Sequence, residues 1–163
     1  MSAIRGSRIV YLYRILKDAA TADATAIAFT TENERTKSRD ADTTETKDGS
    51  IRTPGALESE ITATAIFSSE GDEMIGKLEK AVDDSEKVEI WEVNLDKPGT
   101  SDNVGKFAAK YFQGYVTEFG LTSSAEDHAE ASLTFGLEGA GADGYATVSD
   151  EQQELASYVF ADT

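Results

Sequence analysis

A chain of 163 residues, 39% hydrophobic and 28% charged, has the size and composition of one globular domain that buries roughly 70% of its unfolded surface. Asp and Glu number 31 against 15 Lys and Arg, a formal net charge of -16, so the body repels phosphates and conventional nucleic-acid binding is disfavoured. The absence of Cys and the single His leave disulfides, thiolate metal sites and nucleophilic catalysis without residues to build them, and no apolar run approaches the ~20 residues of a membrane span.

The first element is "SRIVYLYRIL" (Ser7 to Leu16), whose β-branched and aromatic content favours a strand, with "TAIAFTTE" as its expected hairpin mate. A polar stretch follows from Glu32, and β character resumes after Pro54-Gly55 in a strand from about Leu57 to Ser68. In "GDEMIGKLEKAVDD", Met74, Ile75, Leu78, Ala81 and Val82 recur at helical spacing and predict one helix packed by a single stripe on a sheet. "KVEIWEVNL" places Val88 and Ile90 on one phase and Trp91, Val93 and Leu95 on the other, which requires a bulge or a strand buried on both faces. "KFAAKYFQGYVTEFGLTSS" reads as a long strand with "HAEASLTFGLE" as its mate. In the mate, Ala129, Ala131, Leu133, Phe135 and Leu137 alternate with a wet, acidic face. Ser149 with Gln152 forms a capping box before a short C-terminal helix. The sum, for residues 1–163 as a single domain, is a mainly β fold. It is an antiparallel β-sandwich or partly closed barrel with one flanking α-helix, a long projecting loop and a short C-terminal helix.

The motifs that usually carry chemistry are weak here. "GAGADG" (Gly139 to Gly144) spells a dinucleotide fingerprint but lacks the helix and the following parallel strand that give it a mechanism, so a flexible loop is the expectation. Asp40-x-Asp42 opens like a calcium loop, yet the turn glycine is Glu45 and the closing acid is Ile51. His128 has no nucleophile elbow nearby, and Trp91 and the alternating Tyr111, Phe112, Tyr115 and Phe119 are expected in packing roles. No catalytic, cofactor or metal residue emerges. Two other readings of the acidity stay open: a monomeric or dimeric DNA mimic that occupies a basic partner, and a glycan hydrolase using two of the carboxylates.

The polar interval from Glu32 to about Ala56 far exceeds the usual loop of about 4 to 6 residues. Arg35, Lys37, Arg39, Lys47 and Arg52 alternate in blocks with Asp40, Asp42 and Asp48, which suits an arm that docks its cations on an acidic neighbour. From Tyr111 to Thr163 there is no Lys or Arg, and Glu118, Glu130 and Glu138 share the wet phase of the last hairpin.

"TKSRDADTTETKDGSI" followed by "TPGALE", with "RIVYLYRI" before and "KVEIWEVNL" and "KYFQGYVTEF" after, resembles the major tail (tube) protein of long-tailed phages, of the lactococcal-phage type. The resemblance covers roughly Ile9 to Leu137. It implies a β-sandwich flanked by a helix, hexameric rings stacked into a hollow tube, and a long loop joining neighbouring subunits or rings. It also implies a location in the virion tail, with itself and the tape-measure, tail-terminator and distal tail proteins as partners, DNA passing through without specific binding, and no cofactor and no membrane. On that footing, Glu118, Glu130 and Glu138 are expected to line the lumen.

Overall fold

The computed structural model describes residues 3–67 and 73–148. Its strands are β1 (Ile9–Ile15), β2 (Thr30–Thr46), β3 (Gly49–Ile66), β4 (Lys87–Pro98), β5 (Phe107–Thr122) and β6 (Glu130–Ala146), and its helix is α1 (Glu73–Asp84). The strands make one antiparallel sheet in the order β1-β4-β5-β6-β3-β2. The sheet is mainly β with one flanking helix, as expected, and it curls until its two end strands approach each other. They are joined by side chains, not by a backbone ladder: the Tyr13 hydroxyl on β1 donates to Asn33 on β2 at 3.3 Å, and Arg35 on β2 bonds Glu92 on β4.

The core follows from register. Tyr13 opposes Ile90, Ile90 opposes Phe112, Val116 opposes Phe135, and Phe135 opposes Ile61, so these side chains line one face of the sheet. Onto that face α1 lays Met74, Ile75, Leu78 and Ala81, the stripe that helical spacing predicts. The opposite face of β1 and β4 buries a second cluster, in which Val10, Leu12, Val93 and Leu95 pack with Trp91, Phe107 and Val148. Strand β4 is therefore buried on both sides, which explains its two-phase apolar pattern.

Three sequence expectations are corrected. Strand β1 pairs along its length with β4, and among the described residues the segment after it makes a single backbone bridge to β1, at Tyr13–Thr25. The alternating apolar positions of residues 20–28 are all alanine and bury little area, whereas β4 offers two phases of large buried side chains. The polar interval is also not irregular: it is a hairpin of β2 and β3, closed by Thr46 and Gly49, with Gly49 at φ 126°. The run "GAGADG" lies inside β6, where Gly139 and Gly141 take φ of 71° and 84° as a bulge opposite the segment from Tyr111 to Gln113. Gly141 has a second reason to be glycine, since a Cβ there would sit 2.4 Å from the Phe112 ring. The expected C-terminal helix lies outside the described residues.

Candidate functional site

The β2–β3 hairpin changes character along its length. Near its base, β3 pairs with β6 from Glu60–Gly136 to Ile66–Glu130, and its inward side chains enter the core. Beyond Glu60 that pairing stops, and every residue from 36 to 56 is exposed, on both faces of the ribbon. At ~3.4 Å per residue, the strand from Thr36 to Thr46 projects roughly 35 Å. The arm that loop length suggested is thus a two-stranded ribbon. Threonines at 36, 43, 44, 46 and 53 give it β propensity without an apolar face.

Cross-strand register sorts its charges. Arg35, Lys37 and Arg39 oppose Ile61, Ser59 and Leu57, and so share the helix-side face. Arg35 is tied down: its guanidinium donates to both carboxylate oxygens of Glu92 at 2.6 and 3.2 Å, beside a Tyr11 hydroxyl donating to the same carboxylate at 2.7 Å. The Glu92 bond raises the Arg35 pKa further, while burial, and then the Glu92 bond, pushes the Tyr11 phenol well above its ordinary range. Lys37 donates to the Ala140 carbonyl at 2.9 Å, across to the β6 bulge, and Arg39 to the Gly55 carbonyl at 2.8 Å within the ribbon. Lys47 and Asp48 form the exposed turn, and Asp40, Asp42 and Arg52 stand exposed along the two strands.

The other face of the same strands is acidic. Rows run across β5, β6, β3 and β2: Glu118 opposes Thr134, Thr134 opposes Thr62, and Thr62 opposes Glu34. The next row is Gly120, Ser132, Thr64 and Glu32, and the one on the other side is Tyr115, Gly136, Glu60 and Thr36. Glu130 opposes Thr122 and Ile66 at one end. Glu138 lies at the other end, on a Lys87 ammonium reaching over from β4 at 3.0 Å. The structure thus brings Glu118, Glu130 and Glu138 onto one surface and adds Glu32, Glu34, Glu58 and Glu60 from β2 and β3, which the sequence reading had assigned to a loop and a short strand. The alternation in "ESEITATAI" was the signal for the last two. Apart from Lys87 at its Glu138 end, this face carries carboxylates and hydroxyls, which repel phosphate.

Between the end strands β1 and β2 lies a cleft of about 500 Å³, floored by Ile9, Tyr11, Tyr13 and Ile27 and rimmed by Thr31, Glu32 and Arg35. His128 is exposed just ahead of β6, and no cluster of three or more metal-ligating side chains occurs among the described residues.

Known proteins share this arrangement. A family model described as phage tail tube protein matches residues 3–143. A protein of Staphylococcus phage phiMR25, assigned by name to the tail, is 35% identical over 157 residues, covering 94% of this chain and 80% of that one. The SPP1 tail tube, solved by solid-state NMR and cryo EM, superposes with a TM-score of 0.74 at 20% identity over 95% of this chain and 86% of that one. The tail of an empty gene transfer agent particle, refined with C6 symmetry, gives 0.61 at 15% identity over 90% of this chain and 100% of that one. These two share its fold. A single curled sheet with one helix and a two-sided projecting ribbon, matched over most of its length by one family of virion components, places this chain in the phage tail tube protein family, as a structural subunit of the tail.

Proposed function

We propose that the subunit closes into six-fold rings that stack into a tube, with the acidic four-strand face turned to the lumen and the distal β2–β3 ribbon reaching onto neighbouring subunits. The observation that carries this reading is the ribbon exposed on both faces from 36 to 56. An isolated two-stranded hairpin is at best marginally stable in water, so one of this length is suited to a surface supplied by another copy. In this reading Lys47 and Arg52, with Asp40, Asp42 and Asp48, make the intersubunit contacts. Arg35, Lys37 and Arg39 set the angle at which the ribbon leaves the body. Lys47 and Arg52 supply cations for carboxylates of a neighbouring acidic body, and pairing of that kind steers association.

The lumen assignment rests on the segregation of charge. Glu32, Glu34, Glu60, Glu118 and Glu130 lie on one face with hydroxyls between them. Six copies of that face around an axis would keep DNA off the wall by like-charge repulsion over about 8 Å at physiological salt. The tape-measure protein would meet the lumen, and the tail-terminator and distal tail proteins the two ends. The role is mechanical, not catalytic.

Negative-stain electron microscopy of the concentrated purified chain, beside a variant lacking residues 43–52, tests the proposal. Tubes of uniform width from the parent, and dispersed particles with unchanged far-UV circular dichroism from the variant, are the expected pair. Tubes from both would remove the ribbon from assembly.

A further inference from the structure

Among the described residues, the sheet has backbone groups without a ladder partner, and they lie in the cleft. In an antiparallel ladder a residue's N–H and C=O point to the same side, and the side alternates along the strand. Tyr13 exchanges both of its backbone bonds with Thr25, away from β4, so Tyr11 and Ile9, two and four residues back, also aim their backbone groups away from β4, where the Ile9 N–H is taken by the Gly6 carbonyl and the Ile9 carbonyl and Tyr11 are left. On the opposite wall, Ile66 donates to Phe29, toward β2. Thr64 and Thr62 share that direction, and their partners Glu32 and Glu34 face β3. Asn33 and Arg35 alternate with these and turn their backbone groups outward. Among the described residues, two open edges, the Ile9 carbonyl with Tyr11 and Asn33 with Arg35, therefore face each other across the cleft. The Tyr13–Asn33 and Arg35–Glu92 side-chain bonds hold them at a separation where they do not pair directly.

A matching open edge exists elsewhere on the molecule. Among the described residues, strand β3 has no ladder partner on its β6 side from Gly49 to Glu58. On that stretch Ile51, 55% exposed, is the one large apolar side chain of the doubly exposed ribbon, and Arg52 follows it. The cleft has the converse make-up, an apolar floor of Ile9, Tyr11 and Ile27 with Glu32 on its rim.

We infer that the cleft between β1 and β2 is the acceptor for the ribbon of a second copy of this chain, with the β3 edge near Ile51 adding to the open edge of β1, the Ile51 side chain seated on the apolar floor and Arg52 at Glu32. The inference rests on the proposal that the ribbon is the assembly arm, and it specifies where the arm lands. Docking of this kind satisfies two open strand edges with one contact, and open edges are the feature that sheet proteins otherwise have to blunt. It also gives the ribbon its register, because a one-residue slip would turn Ile51 to solvent and bring the polar neighbour Ser50 or Arg52 onto an apolar floor.

The chain has no cysteine, so disulfide trapping has no background. Ile51→Cys combined with Thr31→Cys on the cleft rim, oxidised in tubes assembled from the purified chain, is expected to give a ladder of dimers and higher multimers on a non-reducing gel. Ile51→Cys combined with Glu79→Cys on the exposed side of α1 is expected to give none. The reverse pattern, or tubes in which the 51–31 pair stays unlinked, overturns the acceptor and leaves the assembly arm standing. Failure of the unmodified chain to form tubes at all would remove the functional reading first. Amide exchange on unmodified protein covers the case in which a double variant does not assemble: the Tyr11 amide should exchange at least tenfold more slowly in tubes than in monomer. Equal rates would refute the docking.

Discussion

The Arg35–Glu92 pair decides how firmly the ribbon is held to the body, and its worth is measurable in the dilute monomer. Both side chains are largely buried, 24% and 16% exposed, and the guanidinium makes two bonds, at 2.6 and 3.2 Å, to one carboxylate. Arg35→Met keeps the stem against Phe112, over whose ring the guanidinium carbon sits at 5.7 Å, and removes only the charge and its donors. Glu92 is then left mostly buried with a single neutral donor, the Tyr11 hydroxyl. Stripping the partner from a fully buried ion costs about 3–5 kcal/mol, and the residual exposure of this one lowers the expectation to about 2–3 kcal/mol. Glu92→Gln leaves a more exposed cation that water can reach, for about 1–2 kcal/mol. The double variant loses the pair but strands neither charge, so it should cost less than the sum of the singles by about 1–1.5 kcal/mol. In a chain of this size the Arg35→Met change corresponds to a fall in Tm of about 5–10 °C. Urea unfolding of all four proteins, at concentrations below assembly, closes the cycle. Additivity within about 0.5 kcal/mol would refute the idea that this pair links the two ends of the sheet.

Other expectations follow from single features. Gly141→Ala combines a φ of 84° with a Cβ 2.4 Å from the Phe112 ring and should cost about 3 kcal/mol or more, whereas Gly139→Ala, at φ 71° in open space, should cost about 1–2 kcal/mol. Equal melting curves for the two would mean that strain alone sets the cost. Leu78→Ala, removing a fully buried side chain from the helix stripe, should destabilise by about 3–4 kcal/mol in urea, and a loss under 1 kcal/mol would mean that α1 is not seated on the sheet. Burial foremost raises the phenol pKa of Tyr11, Tyr13 and Tyr111. The folded state therefore keeps these protons above pH ~10, where the unfolded chain has lost them, so the stability they contribute is complete below pH ~10 and declines above it. With Tyr11 and Tyr13 still protonated in the fold, the slope should steepen from near zero at pH 9 to about -2.5 kcal/mol per pH unit near pH 11, with Tyr111 adding in the same direction, read from urea midpoints; a flat profile would contradict it. Glu118→Lys with Glu130→Lys should leave tube formation intact and slow DNA delivery, and unimpaired delivery would take these residues off the lumen wall.

How much of this was legible beforehand depended on whether an element had an apolar face. Helix α1 and the β5–β6 pair announced themselves through Leu78 and its neighbours and through Ala131, Leu133 and Phe135, because burial on one side imposes a period. The two-phase β4 was read correctly for the same reason, with Val88 and Ile90 against one cluster and Val93 and Leu95 against the other. The distal ribbon has no buried face within the subunit, so its strands carry no period at all and looked like loop. What remained visible was threonine content and Asp48-Gly49 at the turn, a local hairpin signal that does not depend on burial. The partner of β1 was not legible, since pairing it with β4 spans more than seventy intervening residues and only the shared core fixes the choice. Glycine in β6 misled in the opposite direction: a run that reads as flexible is held in place by Phe112 and by Lys37 on the Ala140 carbonyl.

The alternation that hid the ribbon also explains how one hairpin serves two surfaces. Because successive strand residues point to opposite faces, "ENERTKS" delivers Glu32 and Glu34 to one side and Arg35 and Lys37 to the other without any excursion of the backbone. The base of the hairpin thereby contributes acid to a face made otherwise by β5 and β6, while its cations turn inward, Arg35 to the Glu92 carboxylate and Lys37 to the Ala140 carbonyl at the β6 bulge. Past Arg39 the ladder bulges, between the Arg39–Leu57 and Ala41–Pro54 pairs, and the phase of the two strands shifts. Beyond that point the ribbon no longer has an inner and an outer side defined by its own subunit, and Arg52 and Lys47 meet no carboxylate among the described residues. A charge left unpaired on an element exposed on both faces is costless in water and available to a partner. The bulge is therefore where the hairpin stops belonging to one fold and becomes free to belong to the next.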